Sequence, residues 1–172
     1  QPILDRILER INRASQQLDG YIQGRYRLAR KIKPEVIVEL GTNVGDSAFA
    51  FLSAIEKNEK GHLWTIDSQS YGELREDTNK FNWTNLVDII HSNSVDYAKT
   101  WDGKKIDLLY IDTAHTYELT INELDLWVPF IKSGGTLLMD DFLTTEVWKA
   151  FFDWVQKEKD GKKNREIISE IA

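Results

Sequence analysis

Five carboxylates stand at the ends of short apolar runs in this chain. Glu39 lies in Val36–Leu40, Asp67 follows 63–66, Asp112 follows Ile106–Ile111, and Asp140 and Asp141 follow 136–139. Such β-branched, apolar stretches read as strands buried on both faces of a parallel sheet. In open parallel sheets, ligands bind beyond the carboxyl ends of the strands, near the point where strand order reverses. All five acids therefore belong to one rim. Carboxylates crowded there repel one another unless cations or hydrogen-bond donors answer them, and that cost points to a ligand. His115, three residues beyond Asp112, adds a group that titrates at about 6.5 when unperturbed and higher beside acids. That suits a base working near neutral pH.

The loop after the first of these strands narrows the ligand. It reads Glu39-Leu40-Gly41-Thr42-Asn43-Val44-Gly45-Asp46-Ser47 and opens an amphipathic helix over 48–57. Glycine lets the backbone turn tightly and come close to a ligand, and the helix start leaves unpaired N–H groups. A dinucleotide fingerprint requires Gly-x-Gly-x-x-Gly, but Asn43 and Asp46 occupy the second and third glycine positions. Acids at 39 and 46 would also repel a pyrophosphate. They suit a ligand with a positive centre and an α-amino-carboxylate, the acid facing the cation while Ser47 and the helix N-terminus take the carboxylate. S-adenosylmethionine has that charge pattern and NAD does not. Asp67, about one strand–helix unit further on, is placed to accept both ribose hydroxyls.

With these motifs the chain resembles the class I S-adenosylmethionine-dependent methyltransferases, closest to the catechol O-methyltransferase-like and other small-molecule branches. The resemblance spans about 36–142. It implies a cofactor site made by Glu39, Gly41, Thr42, Asn43, Gly45, Ser47, Asp67 and Asp112, with Ser92, Asn93 and Ser94 at the adenine edge. It also implies that Asp112 and the pair Asp140-Asp141 bind a divalent metal, and that the residue three beyond Asp112, here His115, removes the acceptor's proton. Hard oxygen donors on neighbouring strands suit Mg²⁺ or Ca²⁺ better than zinc. The implied activity is metal-assisted O-methylation of a small hydroxylated acceptor. Tyr71, Trp83, Tyr117 and Phe142 are candidates to line the acceptor site. A non-catalytic module that binds the nucleoside as sensor or scaffold is the alternative, and the failed fingerprint disfavours an NAD-dependent oxidoreductase.

The elements that must position these residues follow from periodicity. Strands are expected at Val36–Leu40, 63–66, 87–90, Ile106–Ile111, 136–139 and 165–171, with helices at 48–57, 119–131 and 146–157. Strands alternating with helices imply an α/β, doubly wound, mostly parallel Rossmann-like sheet. Residues 1–172 read as a single domain, 34–172 as its core and 1–33 as an N-terminal helical extension, broken near Gly20 or Gly24. The extension is expected to cover the cofactor site, to build a homodimer contact or simply to pack on the sheet. The last antiparallel strand of the methyltransferase fold has no counterpart before residue 172.

Composition sets the outer bounds. The 172 residues are 41% hydrophobic and 29% charged, with net charge −6 and no cysteine. This is the profile of a globular protein without disulfides or thiolate chemistry. The acidic balance argues against nucleic acid as partner. No apolar run reaches membrane-spanning length and no signal-peptide pattern opens the chain, so a cytoplasmic location is expected. The basic density at Arg25, Arg27, Arg30, Lys31 and Lys33 reads as the solvated, cation-rich end of a helix.

Overall fold

The computed structural model describes residues 19–69, 72–160 and 168–169. Its centre is a parallel sheet of β1 (Val36–Leu40), β2 (His62–Asp67), β3 (Val87–His91), β4 (Ile106–Ile111) and β5 (Ile131–Met139), with a short β6 (Ile168–Ser169) on the outer edge of β5. The order β3-β2-β1-β4-β5-β6 reverses between β1 and β4. The α/β doubly wound, Rossmann-like architecture expected from the alternation of elements is the one observed.

Two helical layers cover the sheet, because side chains alternate across each strand. Ile37, Leu63, Leu108 and Leu138 share a core with Phe49, Phe51 and Leu52 of α2 (Asp46–Asn58) and with Ile22 and Ala29 of α1 (Asp19–Ile32). Val38, Leu40, Leu109 and Leu137 face the other way, against Leu124 and Trp127 of α5 (Tyr117–Trp127) and Val147 and Trp154 of α6 (Thr145–Asp160). On the first face the row Glu39, Thr65 and Tyr110, adjacent in register, is a polar seam beneath α1 and α2. That seam becomes the floor of the site.

Several expected boundaries shift for local reasons. Helix α1 runs unbroken through Gly20 and Gly24, while the expected helical residues before 19 lie outside the described residues. The helix expected over 119–131 ends at Trp127. A 3₁₀ turn at Val128–Phe130 follows, and β5 begins at Ile131 rather than 136. Pro129 has no N–H to continue the helix, and a shift in register between Ile106 and Leu108 lets Ile131 join the sheet. Helices α3 (Gly72–Lys80) and α4 (Ser94–Ala98) were not anticipated. The first is mostly charged around Leu74, and the second is too short to show a period. Strand β6 falls within the expected 165–171. No described helix is long and apolar enough to cross a membrane.

Candidate active site

The ladder continues one residue past each central strand, and this aligns the rim. Ser92 N donates to Asp67 O, Gly41 N to Ile66 O, Asp112 N to Leu40 O and Asp140 N to Ile111 O, all at 2.8–2.9 Å. Asp67, Gly41, Asp112 and Asp140 therefore stand side by side at the carboxyl edge, across the point where strand order reverses. Two adjoining cavities open on this edge, of about 260 and 190 Å³, and both are lined by Asn43 and Asp112.

The larger cavity lies between the loops after β1, β2, β3 and β4. Gly41 (φ +94°) must be glycine, because a Cβ there would sit 1.9 Å from the carbonyl oxygen of Asp112. Gly45 (φ +92°) is pressed against Leu74, 2.8 Å from where its Cβ would lie. The glycines were expected to let a ligand approach, yet what occupies the space beside them is the protein's own β4 end and α3. Asp67 fastens the loop. Its Oδ2 accepts from the N–H groups of Thr42 and Asn43, each at 2.9 Å, and its Oδ1 from Gln69 N at 2.8 Å. A carboxylate has about four acceptor positions, so these three bonds leave Asp67, which lines the larger cavity, with one more. Gly45 caps α2 without a side-chain bond, and Gly45, Asp46 and Ser47 line the smaller cavity.

The adenine-edge residues divide. Asn93 and Ser94 line the larger cavity, while Ser92 is not among its lining residues. Asn93 spends its side-chain oxygen capping α4. Ser94 gives its hydroxyl to Glu123 at 2.5 Å and its carbonyl to Trp127 Nε1. Glu123, absent from the sequence reading, also accepts from Thr113 at 2.9 Å, tying α5 to the loops after β3 and β4. Burial above all holds its carboxyl above the usual range.

Glu39 does not line either cavity. It is fully buried in the polar seam, accepting from Ser47 Oγ at 2.5 Å and from Thr65, whose hydroxyl meets that of Thr42 at 2.6 Å. Burial pushes its carboxyl up to about 8, against the lowering effect of the two hydroxyls. Glu39 and Ser47 thus underpin the loop with each other.

The smaller cavity is lined by Arg25, Tyr110, Asp112 and Asp140, and Asp112 links it to His115 and Asp141, which are not among the lining residues of either cavity. His115 Nε2 faces Asp112 Oδ1 at 3.2 Å and its Nδ1 faces Asp141 Oδ2 at 3.1 Å. The hydrogen bond to Asp112 raises the imidazole above its ordinary 6.5, the charges of Asp141, Asp112 and Asp140 add to this, and burial opposes it. His115 (φ 54°) and Asp141 (φ 46°) are both held in the left-handed region. Such conformations cost about 1 kcal/mol or more and cluster at functional sites. Tyr110 donates to Asp112 Oδ2 at 2.8 Å. Arg25 of α1, only 3% exposed, donates through Nη2 to Asp140 Oδ1 at 2.9 Å and to Tyr110 at 3.0 Å.

Arg25 and Tyr110 are the functional candidates that sequence reasoning missed. Arg25 was taken for a solvated cation, although Ile22, Arg25 and Ala29 form one buried stripe at helical spacing. That stripe was the available signal. Among the acceptor candidates, Trp83 is core beside Phe49 and Phe81, Phe142 packs on Phe151, and Tyr117 donates to Asp153. Tyr71 lies outside the described residues.

A divalent cation was expected on Asp112, Asp140 and Asp141. The atoms that gather within 4.8 Å of one another belong instead to Asp112, His115 and Asp140. Two carboxylates and an imidazole have the chemistry of a cation site. As arranged, Asp140 is ion-paired with Arg25, and the oxygens of Asp112 face Tyr110 and His115.

A family profile described as "Methyltransferase domain" matches residues 38–142, from β1 through the acidic pair. The chain belongs to this methyltransferase family. An uncharacterized protein of Acanthamoeba polyphaga mimivirus is 30% identical over 122 residues, covering 61% of the chain, and the chain spans about half of that relative's length. Among solved structures, the O-methyltransferase TomG from Streptomyces achromogenes, in complex with SAM, superposes with a TM-score of 0.66 at 14% identity over 93% of this chain and 78% of TomG. The SAH-bound Podospora anserina methyltransferase PaMTH1 gives 0.61 at 19%, over 94% and 78%. A Clostridium thermocellum protein proposed to be an rRNA-methylase gives 0.63 at 14%, over 78% of each chain. These likenesses fix the methyltransferase's fold and leave its acceptor to the site.

Proposed function

We propose that this methyltransferase moves a methyl group from S-adenosylmethionine to a hydroxyl of a small acceptor. The observation that carries the reading is His115, held between Asp141 and Asp112, the acid that lines both cavities. The cofactor, when bound, supplies a methyl already activated on a sulfonium centre, so the chain's tasks are alignment and proton removal.

The larger cavity suits the nucleoside end. Asp67 offers its remaining acceptor position to ribose hydroxyls while its other positions hold the glycine loop. The N-terminal turn of α2, whose Asp46 and Ser47 line the smaller cavity, suits the cofactor's carboxylate. Asp112 faces the seam between the cavities and favours the positive end of the cofactor. A neutral imidazole has one acceptor nitrogen, and both nitrogens of His115 face carboxylates. An acceptor hydroxyl entering between the ring and Asp141, the more exposed of the two acids, would meet that nitrogen and lose its proton there as oxygen attacks the methyl. Metal assistance enters none of these steps, since Arg25 holds Asp140.

Incubation with methyl-labelled S-adenosylmethionine and a panel of phenols, catechols, sugars and RNA tests the reading. Label on a small hydroxyl compound, lost in His115→Ala, supports it; label on RNA alone, or on nothing despite tight S-adenosylhomocysteine binding, replaces it with nucleic-acid methylation or a binding module. A homodimer through the N-terminal helices remains part of the proposal, tested by sedimentation.

A further inference from the structure

We propose that Arg25 is the resident cation of the acidic rim, a guanidinium held where Asp112, His115 and Asp140 could otherwise gather round a divalent ion, so that the chain excludes such an ion. Methyl transfer is assumed only for the activity arm of the test below.

Among the described residues no other lysine or arginine is buried. Burying a guanidinium is costly unless it is paired and hydrogen-bonded, and Arg25 is both. It contacts Asp140 directly and reaches Asp112 through the hydroxyl of Tyr110, with its guanidinium carbon 5.0 Å from the centre of the Tyr110 ring. Two of the three candidate ligands are thereby tied to one cation. The third, His115, faces Asp112 and Asp141. An ion entering the triad would displace one of these donors and stand beside a charge of its own sign.

Arg25 is held unlike a surface side chain. It sits on the stripe with Ile22 and Ala29 that packs α1 into the core, and only 3% of it is exposed. The acidic rim thus receives a fixed positive charge from a helix outside the family-matched region, which begins at residue 38. Arg25 acts through Asp140 and Tyr110 and is in this sense a positioning residue.

Mn²⁺ binding to the full chain, read by electron paramagnetic resonance and by thermal shift, tests the proposal. The wild-type chain is expected to show no saturable Mn²⁺ binding and to keep its turnover after chelation. Arg25→Met is expected to bind Mn²⁺ roughly tenfold tighter or more, because the repelling charge is gone, and Asp112→Asn in that background should abolish the gain. Arg25→Gln keeps donors toward Tyr110 and Asp140 without the charge, and covers the case in which the methionine variant does not fold. Saturable Mn²⁺ binding by the wild type that Asp112→Asn removes overturns the proposal, as does a folded Arg25 variant that gains none. S-adenosylhomocysteine binding, measured separately, decides the methyl-transfer reading: its absence sinks that reading and leaves the Mn²⁺ comparison intact.

Discussion

The two cavities share Asn43 and Asp112 but are held together by different forces. The larger is shaped by backbone: ladder bonds past the strand ends, a glycine against the Asp112 carbonyl, and Asp67 accepting three N–H groups. The smaller is shaped by charge, with Arg25 and Tyr110 set against Asp112 and Asp140, and Asp112 leading on to His115 and Asp141 beside it. Backbone bonds are short-range and carry no ionisable group, so most of the first wall keeps its form across conditions. Charged groups respond to protonation and to one another, so the second can change state during a reaction. A cofactor common to many reactions suits the first kind of wall, and proton transfer needs the second.

The comparison breaks most completely at Gly41, which lines the larger cavity and packs against the carbonyl of Asp112, a residue of both. Gly41→Ala would drive a methyl into the Asp112 carbonyl. It is expected to cost about 4 kcal/mol or more of stability, measured by urea denaturation, and to abolish S-adenosylhomocysteine binding in calorimetry. A change of less than about 1 kcal/mol would show that the β1 and β4 ends are not packed as described.

His115 sharpens the contrast. His115→Ala should lower kcat by about 100-fold or more while leaving S-adenosylhomocysteine affinity within about twofold. Because the raised imidazole must lose its proton before acting as base, wild-type kcat should climb with pH through a value above 6.5. In Asp141→Asn, which removes one raising charge, that climb should move to lower pH. A wild-type profile flat from pH 6 to 9 would remove the base assignment.

Asp67→Asn tests the other wall. With the loop clamp weakened, cofactor affinity should fall about tenfold, equivalent to about 1.4 kcal/mol, while the pH at which kcat climbs stays put. A shift of that pH would mean the two walls are not independent.

Beneath both lies Glu39, and its effect is expected only in stability. Its folded pKa of about 8 stands above the 4.5 of the unfolded chain, so the folded state binds the extra proton. Stability from this group is fully present below pH 4.5 and lost as pH rises to about 8, by at most about 1.4 kcal/mol per pH unit. Glu39→Gln should flatten that decline in denaturation midpoints measured across the range. An unchanged slope would place the proton elsewhere.

Much of this site was legible before folding because its motifs are local. Strand periodicity and turn residues put Asp67, Asp112 and Asp140 at strand ends, and parallel strands all present those ends on one side. The glycine spacing was readable too, although its reason was not: only coordinates show that Gly41 yields to the Asp112 carbonyl. Glu39 illustrates the opposite limit. Its place in β1 was plain, but period two turned it into the seam under α2, where Ser47 and Thr65 claim it.

The sequence by itself determined the sheet, the edge that carries the acids, and the histidine beside them, since each depends on spacing within a few residues. Tertiary structure alone decided which cation answers the acids. Arg25 and Asp140 lie 115 positions apart, and Arg25 and Tyr110 lie 85 apart. A helical stripe announces that a face will be buried without saying against what, and only the packing of α1 over the sheet brings the guanidinium to the carboxylates.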